Sequence, residues 1–357
     1  MKFFISWFLC GIVLVSLLVF GYTYEKKPAE KSDGHIEKAA FELPKLIKSE
    51  LSEDEKIEFS VSVYNAKADA YMQMPLNEYL YGVLLAEMPK DFETEALKAQ
   101  AVAARTLVMY KLESGNPKDH INAPVCTSSG HCMAYISPED YMAAAKDSNT
   151  DFLKRVKEAV DTTDGEILEY DGKPIMAAFH ASSYGKTENS EEKWSVEYPY
   201  LRSVDSPEQY YPDKVKNLVS EKKFTILEVY DKISEKYKDA SISASAVKKG
   251  ISAERDESGR VKKVSLGEIT LSGNEVRTMF SLRSTAFDVK IDGNNIVFTT
   301  YGSGHGVGMS QYGANIFASQ GKDYKEILSH YYTDTALAQN CVILCHFGRA
   351  TAGTYGK

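Results

Sequence analysis

No internal repeat and no heptad pattern runs through this sequence of 357 residues, which excludes solenoid arrays and long coiled coils. Basic residues are not in excess either: 42 Lys and Arg stand against 50 Asp and Glu, a formal charge of -8. Nucleic-acid binding usually shows as a basic patch or stripe, so a neutral or mixed-charge polymer is the better partner and nucleic acid is not expected. Cysteine is scarce. Of five, Cys10 falls in an N-terminal apolar run, leaving Cys126, Cys132, Cys341 and Cys345, which keeps both a disulfide and a metal site open. Hydrophobic residues at 43% and charged residues at 26% are ordinary for a globular protein and exclude global disorder. At about 150 residues per domain, the length fits one large or two moderate domains.

What is present begins with FFISWFLCGIVLVSLLVFG, Phe3 to Gly21, a run without charge. That is close to the roughly 20 residues that span a bilayer. No small-x-small cleavage site follows, so residues 1–24 are expected to be an uncleaved, single-pass transmembrane anchor. The stretch at 25–56 alternates charge with little apolar periodicity and reads as a stalk. One span near the start usually leaves the folded body outside the cytoplasm.

The fold is expected to begin near Ile57, where Ile57, Phe59, Val61 and Val63 alternate as in a half-buried strand. PLNEYLYGVLLAEMP then switches to helical spacing, with Asn77 as N-cap and Pro89 marking the end. Glu87 falls on the stripe of Leu80 and Leu84. The next helix runs from an N-cap at Thr94 to Gly115 and carries Arg105 among small residues, an expensive side chain to bury without an acceptor. One helix is expected over DYMAAAKDSNTDFLKRVKEAVDTT and strands over GEILEYDGKPIMAAFHASS. Between 205 and 295 the character changes to a helix at KFTILEVYDKISEKYKD and to strands with a polar turn at VKKVSLGEITLSGNEVRTMFSL. The expected architecture is α+β: a mixed core from 57–204 and 296–338, a second, smaller α/β lobe at 205–295, a substrate groove between them, and a tail at 339–357.

Four constellations could carry chemistry. Glu87, on an apolar stripe at a helix C-terminus, should have a raised pKa, because desolvation and the negative end of the helix dipole both disfavour the carboxylate. A carboxyl still protonated near neutral pH can protonate the oxygen leaving a glycosidic bond; a structural Glu paired with an Arg fits the spacing too. HINAPVCTSSGHC offers His120, Cys126, His131 and Cys132, the ligand types and number of a closed zinc site, though a Cys126–Cys132 disulfide is equally open. FHASSYGKTENS places His180, Ser182, Ser183, Tyr184 and Lys186 after a strand, as a sugar groove or as a plain exposed loop; a Ser and Lys pair would also suit acyl transfer, but no G-x-S-x-G elbow is present. YGSGHGVGMSQYGA alternates glycine around His305 and lacks both G-x-G-x-x-G and G-K-[ST], so nucleotide binding is not expected.

Taken together, MPLNEYLYGVLLAEMP, EALKAQAVAART, HASSYGKTE and GSGHGVGMSQYGA followed by HYYTDTAL resemble, in that order, the stage II sporulation protein D (SpoIID/LytB) family. The cysteine loop is most similar to its clostridial branch, and the likeness covers roughly Met74 to Leu337. The resemblance implies a membrane-anchored lytic transglycosylase. It would cleave the bond from N-acetylmuramic acid (MurNAc) to N-acetylglucosamine (GlcNAc) in peptidoglycan without water, leaving 1,6-anhydroMurNAc ends, on peptide-free glycan during forespore engulfment.

By the same resemblance Glu87 is the catalytic acid, and Arg105, Tyr184 and Lys186 near it hold the glycan, with His305, Ser310 and Gln311 further along the groove; Ser182 and Ser183 are substrate-binding candidates from their place after the strand. His120, Cys126, His131 and Cys132 match a structural zinc loop. The body would sit on the mother-cell membrane facing the intermembrane septal space, with the amidase SpoIIP and the membrane protein SpoIIM as partners. The alternative is a non-enzymatic module that binds peptidoglycan and enhances a cell-wall amidase. A zinc hydrolase fails on ligand count, since four protein ligands leave no open position. The tail, with Cys341, Cys345 and His346, matches nothing and is assigned nothing.

Overall fold

The computed structural model describes residues 59–144, 150–237, 251–266 and 269–340. The expected anchor, the stalk and the tail from 341 onward lie outside them. Among the described residues no helix is long and apolar enough to cross a membrane.

The architecture is mixed α/β with several small sheets. Ser60–Asn65 pairs antiparallel with Ala70–Pro75 and parallel with the two-residue strand Val125–Cys126. Val61 and Val63 face inward, as their alternation requires. The helix Leu76–Glu87 is buried on most sides, through Leu76, Tyr79, Leu80, Val83, Leu84 and Leu85. It packs on the long helix Thr94–Ser114, whose alanines at 96, 99, 101, 103 and 104 are fully buried and admit close neighbours. The caps differ from expectation. Asn77 lies inside its helix and donates to Asp164 Oδ1, while Pro75 stands at the N-cap; the long helix is preceded by Glu93, with Thr94 its first residue. Gly115 does end that helix, at φ +85°.

Within the segment expected as one helix, the described residues are helical over Pro138–Ala144 and over Thr150–Thr162. Beyond it, Glu166–Tyr170 lies between Lys173–Pro174 and Ala336–Gln339, and Phe179–His180 runs parallel with Met309–Ser310. One apolar cluster draws on residues from Val61 to Leu201 and from Val307 to Tyr332. A second cluster, from Ile226 to Phe298, packs the helices Ile226–Lys236 and Gly273–Met279 against two three-stranded sheets. The stretch expected as strands with a polar turn also holds the second of these helices, at whose start Ser272 and Glu275 cap each other reciprocally.

Arg105 is not in a groove. Its side chain is fully buried, and the guanidinium donates to the Val160 carbonyl at 3.0 Å, where the helix Thr150–Thr162 runs out of internal partners, and to the carbonyl of Glu166 at 3.2 Å, at the start of the strand Glu166–Tyr170. Burial lowers its pKa to about 10, with Asp164, Glu166 and Asp161 opposing, so it stays charged. The acceptor that makes its burial tolerable is backbone. Arg105→Met should therefore lower the denaturant midpoint, each stranded carbonyl costing roughly 1–3 kcal/mol. Sugar affinity of the fraction that remains folded should not change; a stable variant with weakened sugar binding would return Arg105 to the groove.

Candidate active site

Glu87 is the last residue of its helix. Met88 turns to extended backbone just before Pro89, which cannot continue a helix. Burial raises the Glu87 pKa. Two donors oppose that rise: the Ala134 N–H, 2.6 Å from Oε1, and the side-chain amide of Gln311. The result is a carboxyl that holds its proton to higher pH than one in water, yet has partners ready for the ionised form.

Ala134 reaches Glu87 because of a glycine one and a half turns earlier. A Cβ on Gly82 would lie 2.2 Å from the Tyr135 ring and 2.7 Å from the Ile136 carbonyl. Its absence lets the segment after Cys132 lie against the helix, with the Ile136 N–H donating to the Gly82 carbonyl at 3.2 Å.

The same loop gathers His120, Cys126, His131 and Cys132, whose ligand atoms all lie within 4.8 Å of one another. Zn–N bonds of about 2.0 Å and Zn–S bonds of about 2.3 Å at tetrahedral angles imply ligand separations of roughly 3.3–3.8 Å. The separations are 3.0 Å from His120 Nε2 to His131 Nδ1, 3.6 Å from His120 Nε2 to Cys132 Sγ, and 3.2 and 3.7 Å from His131 Nδ1 to the two sulfurs. The outer nitrogens are held as metal-binding imidazoles require: His120 Nδ1 donates to the Ala123 carbonyl at 2.7 Å, and Asp119 stands 3.5 Å from His131 Nε2. The thiols are free rather than disulfide-bonded. Burial pushes Cys126 up to about 11, with Cys132 adding to the rise, and a bound cation would favour the thiolates. The residues fit zinc.

A cavity of about 530 Å³ opens in front of Glu87. Its wall includes Trp194, His305 and Gln311, the loop residues His131 and Cys132, and three cations, Lys111, Lys193 and Arg277. Arg277 comes from the helix of the second cluster, so side chains of both clusters face the space. Burial and the charges of Lys193, Arg260 and Arg277 push His305 down to about 4, and burial lowers His180 well below the usual histidine value. Both imidazoles are neutral at pH 7.

The other expected groove residues are elsewhere. Ser182, Ser183 and Ser310 are buried. Ser183 Oγ donates to His180 Nε2, and the Ser183 N–H and the Ser310 hydroxyl both donate to the buried carboxylate of Glu208. These serines bind loops together. Tyr184 and Lys186 line a second cavity of about 560 Å³ with Asp205, Gln209 and Phe317. Ser183 and Lys186 have S-x-x-K spacing, but the hydroxyl points at His180 and the ammonium lines the other space, so acyl transfer has no geometry here. Lys193, Trp194 and Arg277 were not singled out from the sequence. The rarity of tryptophan, two in the chain, is the one signal that could have drawn attention to Trp194.

A family model described as stage II sporulation protein matches residues 64–170, an interval holding Glu87 and all four metal-ligand candidates. Stage II sporulation protein D of Bacillus subtilis (strain 168) is 37% identical over 280 residues, 78% of this chain and 79% of that protein. The protein of that name from Bacillus amyloliquefaciens is 33% identical over 334 residues, 93% of this chain and 94% of that one. The amidase enhancer of Bacillus subtilis (strain 168) is 30% identical over 303 residues, 72% of this chain and 40% of that protein.

The donor set makes a direct prediction about metal. The purified full chain should carry a single zinc ion by elemental analysis, Cys132→Ser should lose it, and chelation should lower the melting temperature, because ligand–metal energy is folding energy. Zinc-free protein whose melting temperature ignores chelators would leave the four side chains a plain polar cluster.

Proposed function

The chain belongs to the stage II sporulation protein D family, and from that premise we propose that its cavity cleaves the glycan strands of peptidoglycan as a lytic transglycosylase in sporulation. The observation that carries this reading is a solitary acid: among the described residues lining the cavity, Glu87 is the only carboxylate, and it is partly desolvated. Hydrolases with two carboxylates use the second as nucleophile or as base for water. One carboxyl suffices when the substrate supplies its own nucleophile. Protonated Glu87 gives its proton to the oxygen between MurNAc C1 and GlcNAc, and the C1–O bond breaks. The Glu87 carboxylate then takes the proton of the MurNAc C6 hydroxyl as O6 bonds to C1. The 1,6-anhydro ring closes, Glu87 is again protonated, and no water is consumed.

Trp194 offers an aromatic face for a sugar ring, and His305, neutral, can donate or accept without adding charge. His120, Cys126, His131 and Cys132 would hold zinc with no open position, so the ion would contribute order to the loop that presents Ala134. By family resemblance the substrate is glycan stripped of stem peptides by SpoIIP, with SpoIIM a further partner, and an anchored body acts outside the cytoplasm. A second reading rests on the similarity to the amidase enhancer: the cavity binds glycan and presents it to an amidase.

Incubating the full chain with peptide-free glycan and weighing the products separates the two. Ends of 1,6-anhydroMurNAc, reduced roughly 100- to 10,000-fold in Glu87→Gln, support the transglycosylase; intact strands that remain bound support the enhancer. The pH profile adds a second check. Glu87 must start protonated, so kcat/KM should fall as pH rises through its raised pKa. Gln311→Ala removes a donor to the carboxylate, raises that pKa further and should move the alkaline limb to higher pH.

A further inference from the structure

Two of the three cavity cations form no ion pair among the described residues, although Lys193 also borders a smaller cavity of about 130 Å³ shared with Glu188, Glu192 and Asp256. Lys193, on the short helix Ser190–Trp194, donates to Asn274 Oδ1 at 2.7 Å, a neutral partner on the same helix as Arg277. Arg277 gives its Nε proton to the Leu282 carbonyl at 3.4 Å. Both side chains are partly buried, and among the described residues neither forms an ion pair. What acts on Lys193 is burial and then the positive charges of Arg277 and Arg260, with no carboxylate in opposition; burial alone acts on Arg277. Their neighbour Arg260 differs, because Glu188 stands 3.8 Å from its Nε and Asp256 adds a second negative charge. Lys111 differs too, since its ammonium is 3.2 Å from Cys132 Sγ. Nor do Lys193 and Arg277 serve Glu87, whose burial is opposed by the Ala134 N–H and Gln311 only.

We propose that Lys193 and Arg277 form a carboxylate subsite in the Glu87 cavity, and that its ligand is the free lactyl carboxylate of a MurNAc residue. The proposal rests on the reading of this cavity as a glycan cleft. In peptidoglycan the lactyl group is an amide wherever a stem peptide is attached, and becomes an anion only when an amidase removes the peptide. Two cations from two separate elements would favour that anion and gain nothing from the neutral amide. The inference concerns these two side chains: they would be the part of the cavity that distinguishes a free lactyl carboxylate from an amide.

The test measures binding to the full chain carrying Glu87→Gln, which stops turnover. The ligands are MurNAc-containing oligosaccharides with the lactyl carboxylate free, the same oligosaccharides with it converted to a methylamide, peptide-bearing strands, and an uncharged GlcNAc oligomer. The free carboxylate should bind roughly 10- to 100-fold more tightly than the methylamide, in line with hydrogen bonds to a charged group. That advantage should shrink with added salt. Lys193→Gln and Arg277→Gln should remove the advantage while leaving the GlcNAc oligomer bound as before, which also shows that the variants fold. An advantage absent, or untouched by both substitutions, overturns the subsite and leaves the glycan cleft standing. Tighter binding of peptide-bearing strands assigns the cations to stem-peptide carboxylates and overturns the lactyl assignment. Failure of every sugar to bind removes the cleft reading and the subsite with it.

Discussion

The Ala134 N–H that meets Glu87 Oε1 at 2.6 Å is the contact on which the site depends. In the proposed reaction the Glu87 carboxyl first gives a proton and then takes one, which needs a pKa displaced upward, but not so far that the carboxylate becomes inaccessible. Burial supplies the upward displacement, and one backbone donor with one amide limits it. A backbone donor is suited to this because its position is set by the path of the chain. That path is fixed on both sides of Ala134, by the His120, Cys126, His131 and Cys132 cluster before it and by the Tyr135 and Ile136 contact with Gly82 after it. The helix and the loop are thus one device, and a substitution at Gly82 would be felt at Glu87 although the residues are five apart.

Similar economy holds the opposite wall. Met309–Ser310 runs parallel to Phe179–His180, which brings the glycine-rich segment against the 178–183 segment. Gly308, at φ +71°, lies so close to the Ala178 carbonyl that a Cβ would meet it at 2.1 Å. Glu208, fully buried, then accepts from Ser183 and Ser310 and ties the two segments through a third. Polar side chains that read as sugar ligands in the sequence are spent on this internal bonding. The cavity wall is left to Trp194, His305 and Gln311.

Much of this was legible. The position of Glu87 on a buried stripe at a helix end followed from periodicity and Pro89, and the residue types of His120, Cys126, His131 and Cys132, which the structure brings together, already suggested a cluster. The serines were misplaced because a sequence shows that a polar residue follows a strand, but not whether a buried carboxylate such as Glu208 claims it. Arg105 was misplaced for a related reason: its acceptors are carbonyls of Val160 and Glu166, and backbone acceptors leave no mark in sequence. The helix start at Ser272 does carry a mark in sequence, the Ser-x-x-Glu capping pattern, inside a stretch whose residues otherwise read as strands and a turn. Arg277, on that same helix, went unnoticed with it.

The charge balance shows why overall composition is a poor guide to this cleft. A chain with a formal charge of -8 collects Lys111, Lys193 and Arg277 around one cavity with a single acid. Acids elsewhere on the surface are screened within about 10 Å at ordinary ionic strength. Burial is the main cause that pushes His305 down to about 4, and the charges of Lys193, Arg260 and Arg277 add to it. Under the proposed function, a negative protein that binds a polyanion must place its positive charge where the strand lies. Side chains of two separately packed clusters do so here, so the field in front of Glu87 depends on how the second cluster carries Arg277 to the cleft.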